Sequence, residues 1–186
     1  LIIRVDSPWE TVYHKDMKTD VKGFFAEKVG GFRLPRYKEL PDMGLYLEQV
    51  TKYINGYLQP IGFPELTSSM VSNYVKKGVV APPQKKQYYK EQIAYLFFVS
   101  ISKCVLSMDG IIKLCRMQKD VYDIEIAYDY FATELENMLT YIAGIKDTVE
   151  DVGVTDTGIK TVFRNVIISA THVLFINCFF EHTENH

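Results

Sequence analysis

The stretch whose residue types and spacing have the clearest chemistry is LTSSMVSNYVKKGVVAPPQKKQYYKEQIAYL, residues 66–96, and that chemistry is the holding of a polyanion. It carries Lys76, Lys77, Lys85, Lys86 and Lys90, with no acidic residue between Thr67 and Lys90. Over residues 116–156 the balance reverses, with acids from Asp120 to Asp156 outnumbering Arg116, Lys119 and Lys146. A formal net charge of -2 therefore conceals a basic module and an acidic one.

Local signals say how the basic residues are presented. Thr67 is a helix cap, Leu66 before it and Val71 four positions after it form a hydrophobic staple, and Gly78 closes the helix in the left-handed conformation. The result is a sharply bounded helix of about three turns. Val71, Tyr74 and Val75 share its inner face, which leaves Ser69, Ser72, Asn73 and Lys76 together outside. Short polar donors allow close approach to a major groove, and asparagine can pair bidentately with adenine. VVAPP is extended because proline excludes helix, and QKKQYY carries Lys85 and Lys86 out on a turn before the next helix near Lys90. Such a loop is a wing. The expected division of labour puts Ser69, Ser72, Asn73 and Lys76 on bases or phosphates, and Lys77, Lys85, Lys86 and Lys90 on phosphates. Taken singly, each lysine also reads as an ordinary solvated charge.

Those residues carry a resemblance. MVSNYVKKGVVAPPQKKQYYKEQIAYLFFVSISKCVLSMDGI resembles the DNA-binding domain of MerR-type regulators: Tyr74 in the recognition helix, a charged pair and Gly78, Pro82 and Pro83 in the wing, Tyr88 before the next helix, and the close CVLSMDGI. Ile93, Leu96, Leu106, Ser107 and Ile111 fall in the same pattern. Ser72 stands where that recognition helix usually presents an arginine. The link over residues 59–66 is longer than a tight helix-turn-helix connection, and the wing over residues 83–88 is shorter than usual. Residues 34–111 are also similar to a bacterial family called domain of unknown function 1836. That resemblance implies a MerR-like helix-turn-helix and brings no activity with it.

The elements that must position this block are helices. Helical periodicity dominates, and strand alternation is nearly absent. A helix is expected near residues 7–29, then an extended linker, GGFRLPRYKELPD, broken by its glycine pair and prolines. Asp42 is the expected cap of a helix with Met43, Leu47, Val50, Ile54 and Tyr57 or Leu58 on its apolar side. Ile124, Tyr128, Phe131, Leu135, Met138, Ile142 and Ile145 mark a long amphipathic helix. A loop, KDTVEDVGVTDTG, leads to a last apolar helix.

The composition excludes several classes. A hydrophobic fraction of 47% is a globular chain's. No nucleophile elbow, P-loop, HExxH or dinucleotide glycine motif occurs, so no enzyme activity is expected. Cys104, Cys115 and Cys178 lack CxxC spacing and read as reduced and buried; His14, His172, His182 and His186 are scattered, so no metal or cofactor is expected. Asp147, Glu150, Asp151 and Asp156 lack the strict alternation of a calcium loop and read as solvated. The opening LIIRVDSPWETVYHK has no signal-peptide core, which makes cytoplasmic residence the expectation. VIISATHVLFINCFF, residues 166–180, falls short of the roughly 20 residues of a membrane span, and His172 and Asn177 interrupt it. Tyr46, Tyr53, Tyr57 and Tyr128, Tyr130, Phe131 read chiefly as core at helical spacing, with an aromatic ligand pocket as the other reading.

The expectation is a mainly α protein: an N-terminal helical segment and linker over 1–33, a MerR-like winged helix-turn-helix over 34–118, and a C-terminal helical hairpin or bundle over 119–186. The implied function is sequence-specific binding of double-stranded DNA in transcriptional regulation. A homodimer through the C-terminal helices is expected, because their apolar surface exceeds what one hairpin buries. The other readings are a module that docks an acidic protein partner and a small-molecule sensor.

Overall fold

Apolar residues spaced by three and four along the chain produce seven α-helices among the described residues, 21–150, 152 and 158–184, of the computed structural model. They are α1 (Val21–Val29), α2 (Leu47–Leu58), α3 (Ser68–Lys76), α4 (Lys90–Ser102), α5 (Met108–Lys119), α6 (Ile124–Ile142) and α7 (Gly158–Glu184). Short 3-10 turns span Tyr37–Glu39 and Gln59–Ile61. Two strands, β1 (Leu45–Tyr46) and β2 (Gln87–Tyr88), pair antiparallel with Leu45 opposite Tyr88 and Tyr46 opposite Gln87. The chain is mainly helical, as expected, with this one small sheet added. Strands of two residues are too short to show a period-2 pattern, which is why the sequence hides them.

Helix α4 is the axis of the molecule. Its sequence KEQIAYLFFVSIS is apolar nearly all round, and such a helix is stable only when enclosed. Every residue from Gln92 to Ser102 is buried. Phe97 packs edge-on against Tyr53 and Tyr57 of α2 and, tilted, against Tyr128 of α6. On the next face Phe98 meets Phe131 of α6 and Phe163 of α7. One core thus joins the helices on both sides of α4.

Helices α6 and α7 lie together, tied by Arg164 Nε to the fully buried Glu134 carboxylate at 2.8 Å. Helix α1 closes over the far end of α7 through Phe25 against Phe175, Phe24 against His182, and an ion pair of Lys28 with Glu181. The start of the helix expected near residues 7–29 lies outside the described residues; α1 supplies its end.

Three sequence expectations change here. The helix expected to start at Asp42 begins at Leu47: Gly44, Leu45 and Tyr46 stay extended to pair with β2, and Met43 is exposed. Gly44 is obligatory at this crossing, because a Cβ there would lie 2.7 Å from Gln87 Cβ. The expected linker, residues 30–42, is a packed strap, with Leu34 and Leu40 buried. The last helix is longer than its apolar run of residues 166–180. Over residues 158–183 it is long and apolar enough to cross a membrane by length and composition, with 39% of an 18-residue apolar stretch within it buried inside the chain.

All three cysteines are free. Cys115 and Cys178 are buried, and burial pushes the Cys115 thiol up to about 12. Cys104 is partly exposed just past the end of α4.

Candidate nucleic-acid interface

Helix α3 is built as its sequence dictates. Thr67 Oγ1 accepts from Met70 N at 3.3 Å, and Leu66 and Val71 are both buried. At the other end Gly78 takes φ 73°, which lets Val79 N and Val80 N both donate to Tyr74 O at 3.0 and 3.4 Å. Val71 and Tyr74 are buried and Val75 is half-buried, while Ser69, Ser72, Asn73, Lys76 and Lys77 are exposed. Ser72 Oγ donates to Ser68 O at 2.9 Å, so it lies close along the helix rather than reaching outward. Burial raises the Tyr74 and Tyr88 phenols, keeping both neutral beneath the basic surface.

The connection between α2 and α3 is long but fixed. Ile61, Phe63 and Leu66 are buried along it, and Gly62 makes the bend at φ 103°. Asn55 Nδ2 donates to Leu66 O at 2.9 Å and Leu66 N donates to Asn55 Oδ1 at 2.8 Å. Packing and one side-chain clasp thus do here what a tight turn does elsewhere.

Lys85 and Lys86 occupy the tip of a hairpin. Gln84 N donates to Gln87 O and Gln87 N donates to Gln84 O, both at 2.9 Å. Lys85 at φ 48° and Lys86 at φ 69° are the two central residues, the geometry of a type I′ turn, where Asn-Gly is the usual pair. A left-handed residue with a Cβ costs roughly 1–2 kcal/mol. The hairpin is held by buried Gln92 at the start of α4, whose Nε2 donates to Ala81 O and Pro82 O at 2.9 and 2.8 Å while its Oε1 accepts from Tyr89 N at 2.8 Å. All three of these hydrogen bonds are spent on the hairpin and its exit.

The structure brings Lys86 and the start of α3 to one place. An open groove of about 670 Å³ runs between the first turn of α2 and the hairpin, lined by Tyr46, Glu48, Gln49, Ser68, Pro83 and Lys86 among others. Tyr46, expected chiefly as core, is instead about half exposed here because it belongs to the short β1 strand, and Gln49 in the first turn of α2 is a contribution the sequence did not signal. Among the described residues no acid pairs with Lys76, Lys77, Lys85 or Lys86. Lys90 differs: its Nζ lies 2.6 Å from Asp42 Oδ1 and donates to Lys38 O at 3.2 Å. It is engaged with the strap, apart from the other four lysines.

Three acids of the acidic module, Glu125, Asp129 and Glu136 on α6, are engaged by the strap. Arg36 donates Nη1 and Nη2 to Glu136 Oε1 and Oε2 at 2.7 and 2.6 Å, and Leu34 N donates to the same Oε1 at 2.9 Å. Tyr37 N donates to Asp129 Oδ1 at 2.7 Å, and Lys38 pairs with Glu125 at 3.2 Å. One edge of α6 therefore grips the strap, and the strap in turn reaches Lys90.

No group of three or more His, Cys, Asp and Glu able to hold a metal ion occurs among the described residues. Of the aromatics, Tyr53 and Tyr57 pack on Phe97, whereas Tyr128 and Phe131 also line a void of about 20 Å³ between α4, α5, α6 and α7, with Tyr95, Phe98, Cys115 and Phe163. That space is about one water molecule's.

A family model described as a domain of unknown function (DUF1836) matches residues 35–131, from the strap to the middle of α6. No curated protein and no solved structure matches the chain.

Proposed function

This chain belongs to the DUF1836 family, and we propose that it is a cytoplasmic DNA-binding transcriptional regulator whose α2, α3 and β2 hairpin act as a MerR-like winged helix-turn-helix. The observation that carries the reading is the Lys85-Lys86 pair in left-handed conformation at the hairpin tip. A turn selected for stability would use Asn-Gly there; two lysines sacrifice stability to hold two cations at the furthest point of the hairpin. Strain of this kind concentrates where it serves binding.

The neighbouring surface supports the same partner. Helix α3 offers Asn73 and Lys76 outward with Ser69 beside them, a set of short donors and one cation suited to a major groove. Lys77 at its end and the hairpin lysines flank that helix as phosphate contacts. The C-terminal helices would make the protein a homodimer, presenting two α3 helices about 34 Å apart or a multiple of it.

The test is fluorescence anisotropy on the full chain with random duplexes and with duplexes enriched from genomic fragments, at several salt concentrations. Binding should weaken linearly in log-log form as salt rises. Asn73→Ala should cost roughly 1–3 kcal/mol on the enriched site and relax one position, with the salt slope unchanged. Absence of salt-dependent binding to either duplex set would discard the DNA reading in favour of a docking surface for an acidic protein.

A further inference from the structure

In a chain with 24% charged residues, α7 carries no Lys, Arg, Asp or Glu from Asn165 to Phe180. Its exposed residues in that span are Asn165, Ser169, His172, Ile176, Asn177 and Phe180. Val162 is 45% exposed, Ile176 48% and Phe180 55%. Positions 162, 165, 169, 172, 176 and 179 alternate steps of three and four, the seam spacing of a helix that packs lengthwise on another.

The seam is self-complementary about its midpoint. A two-fold axis between residues 170 and 171 sets Val162 against Phe179, Asn165 against Ile176 and Ser169 against His172. The Asn165 amide already donates to Thr161 O at 2.8 Å, so it can face Ile176 without losing its own hydrogen bond. At the centre, His172 Nδ1 sits 2.7 Å from Ile168 O. A carbonyl only accepts, so Nδ1 carries a proton, and in the neutral ring Nε2 is then the acceptor. The group it would meet across the axis is the Ser169 hydroxyl, a donor.

We propose that the outer face of α7 binds the same face of a second copy of this chain in antiparallel orientation, with Ser169 donating to His172 Nε2 twice across the two-fold axis. This rests on the dimer named above and gives it a surface. An uncharged seam meets no like-charge repulsion from its own copy, and antiparallel helices align their macrodipoles favourably. A parallel pairing would stack His172 on His172 and lose both hydrogen bonds. A bilayer is the poorer occupant. The opposite side of α7 is bonded into the bundle by Arg164 with Glu134 and Glu181 with Lys28, and those charges would have to enter lipid with it.

The experiment uses the full chain. Light scattering at micromolar concentration should give twice 21.5 kDa, and Ile176→Glu, an exposed position, should give 21.5 kDa with unchanged helical circular dichroism. Mild oxidation of a mixture of Ser169→Cys and His172→Cys should yield the mixed disulfide well above either variant alone, with wild type setting the background from native cysteines. A monomeric wild type, a dimeric Ile176→Glu, single variants that cross-link as well as the mixture, or co-flotation of wild type with phospholipid vesicles would each overturn the proposal. None of these readouts depends on DNA, so a monomer that still binds duplex would sink this inference and leave DNA binding standing.

Discussion

Asn55 in α2 clasps Leu66 by both of its backbone groups, giving one hydrogen bond and taking another at 2.9 and 2.8 Å. Leu66 is itself buried and stands immediately before the Thr67 cap, so this clasp sets where α3 begins. Asn55→Ala would strand a backbone N–H and a carbonyl that are only partly accessible to water. It is expected to cost about 1–3 kcal/mol in urea unfolding, with Asn55→Asp recovering part because it still accepts from Leu66 N. An unfolding midpoint equal to wild type would show that the link holds without it.

The hairpin tip separates fold from function. Lys85→Asn with Lys86→Gly puts the preferred pair in the type I′ turn, so the double variant should be more stable by about 1–2 kcal/mol. Duplex affinity should fall for all sequences alike, and the log-log salt slope should flatten by about 0.9 for each phosphate no longer neutralised, nearly two if both lysines touch the backbone. Unlike a double alanine change, this variant cannot lose binding by unfolding the turn. Gain in stability with unaltered DNA binding would remove the lysines from the interface.

What could be read ahead of the structure was local. The start of α3, its inner face and its stop at Gly78 all rest on residues within five positions of one another: Leu66, Thr67 and Val71, then Tyr74 and Gly78. The cap of α2 was not legible, because Leu45 pairs with Tyr88 far along the chain and that pairing keeps the backbone extended past Asp42. The strap was missed for the same reason: Arg36 finds Glu136 a hundred positions away. The left-handed turn at Lys85 and Lys86 had no sequence signal either, since neither residue is Asn or Gly.

Asp42 offers a direct test of Lys90. Its carboxylate is almost fully exposed and lies 2.6 Å from Lys90 Nζ, so the pair is held weakly, about 0–1 kcal/mol. Asp42→Asn should leave stability nearly unchanged and release Lys90. If Lys90 can reach a phosphate, the variant should bind duplex more tightly and with a salt slope steeper by about 0.9. An unaltered slope would show that Lys90 belongs to the strap and not to the DNA surface.

Cys115 predicts how the fold responds to alkali. Its ordinary value is 9.0 and burial pushes it up to about 12, so the folded protein holds this proton more tightly than the unfolded chain does. Below pH 9 both states are protonated and the thiol contributes no pH dependence. From about pH 9 to 12 the unfolded chain releases a proton that the folded one keeps, so stability falls as pH rises, by up to about 1.4 kcal/mol per pH unit for this group. Tyr53, Tyr95 and Tyr128, all raised chiefly by burial, act in the same direction at higher pH. Urea unfolding of wild type and Cys115→Ala at pH 7.5, 9 and 10 should show wild type more stable at pH 7.5, because its thiol is buried where α5 meets α4 and α6, and the gap narrowing as pH rises. The folded thiol should also resist aromatic disulfide reagents at pH 8. Parallel stability curves for the two proteins would mean that Cys115 ionises as freely in the folded state as in the unfolded chain, contrary to its position in the core.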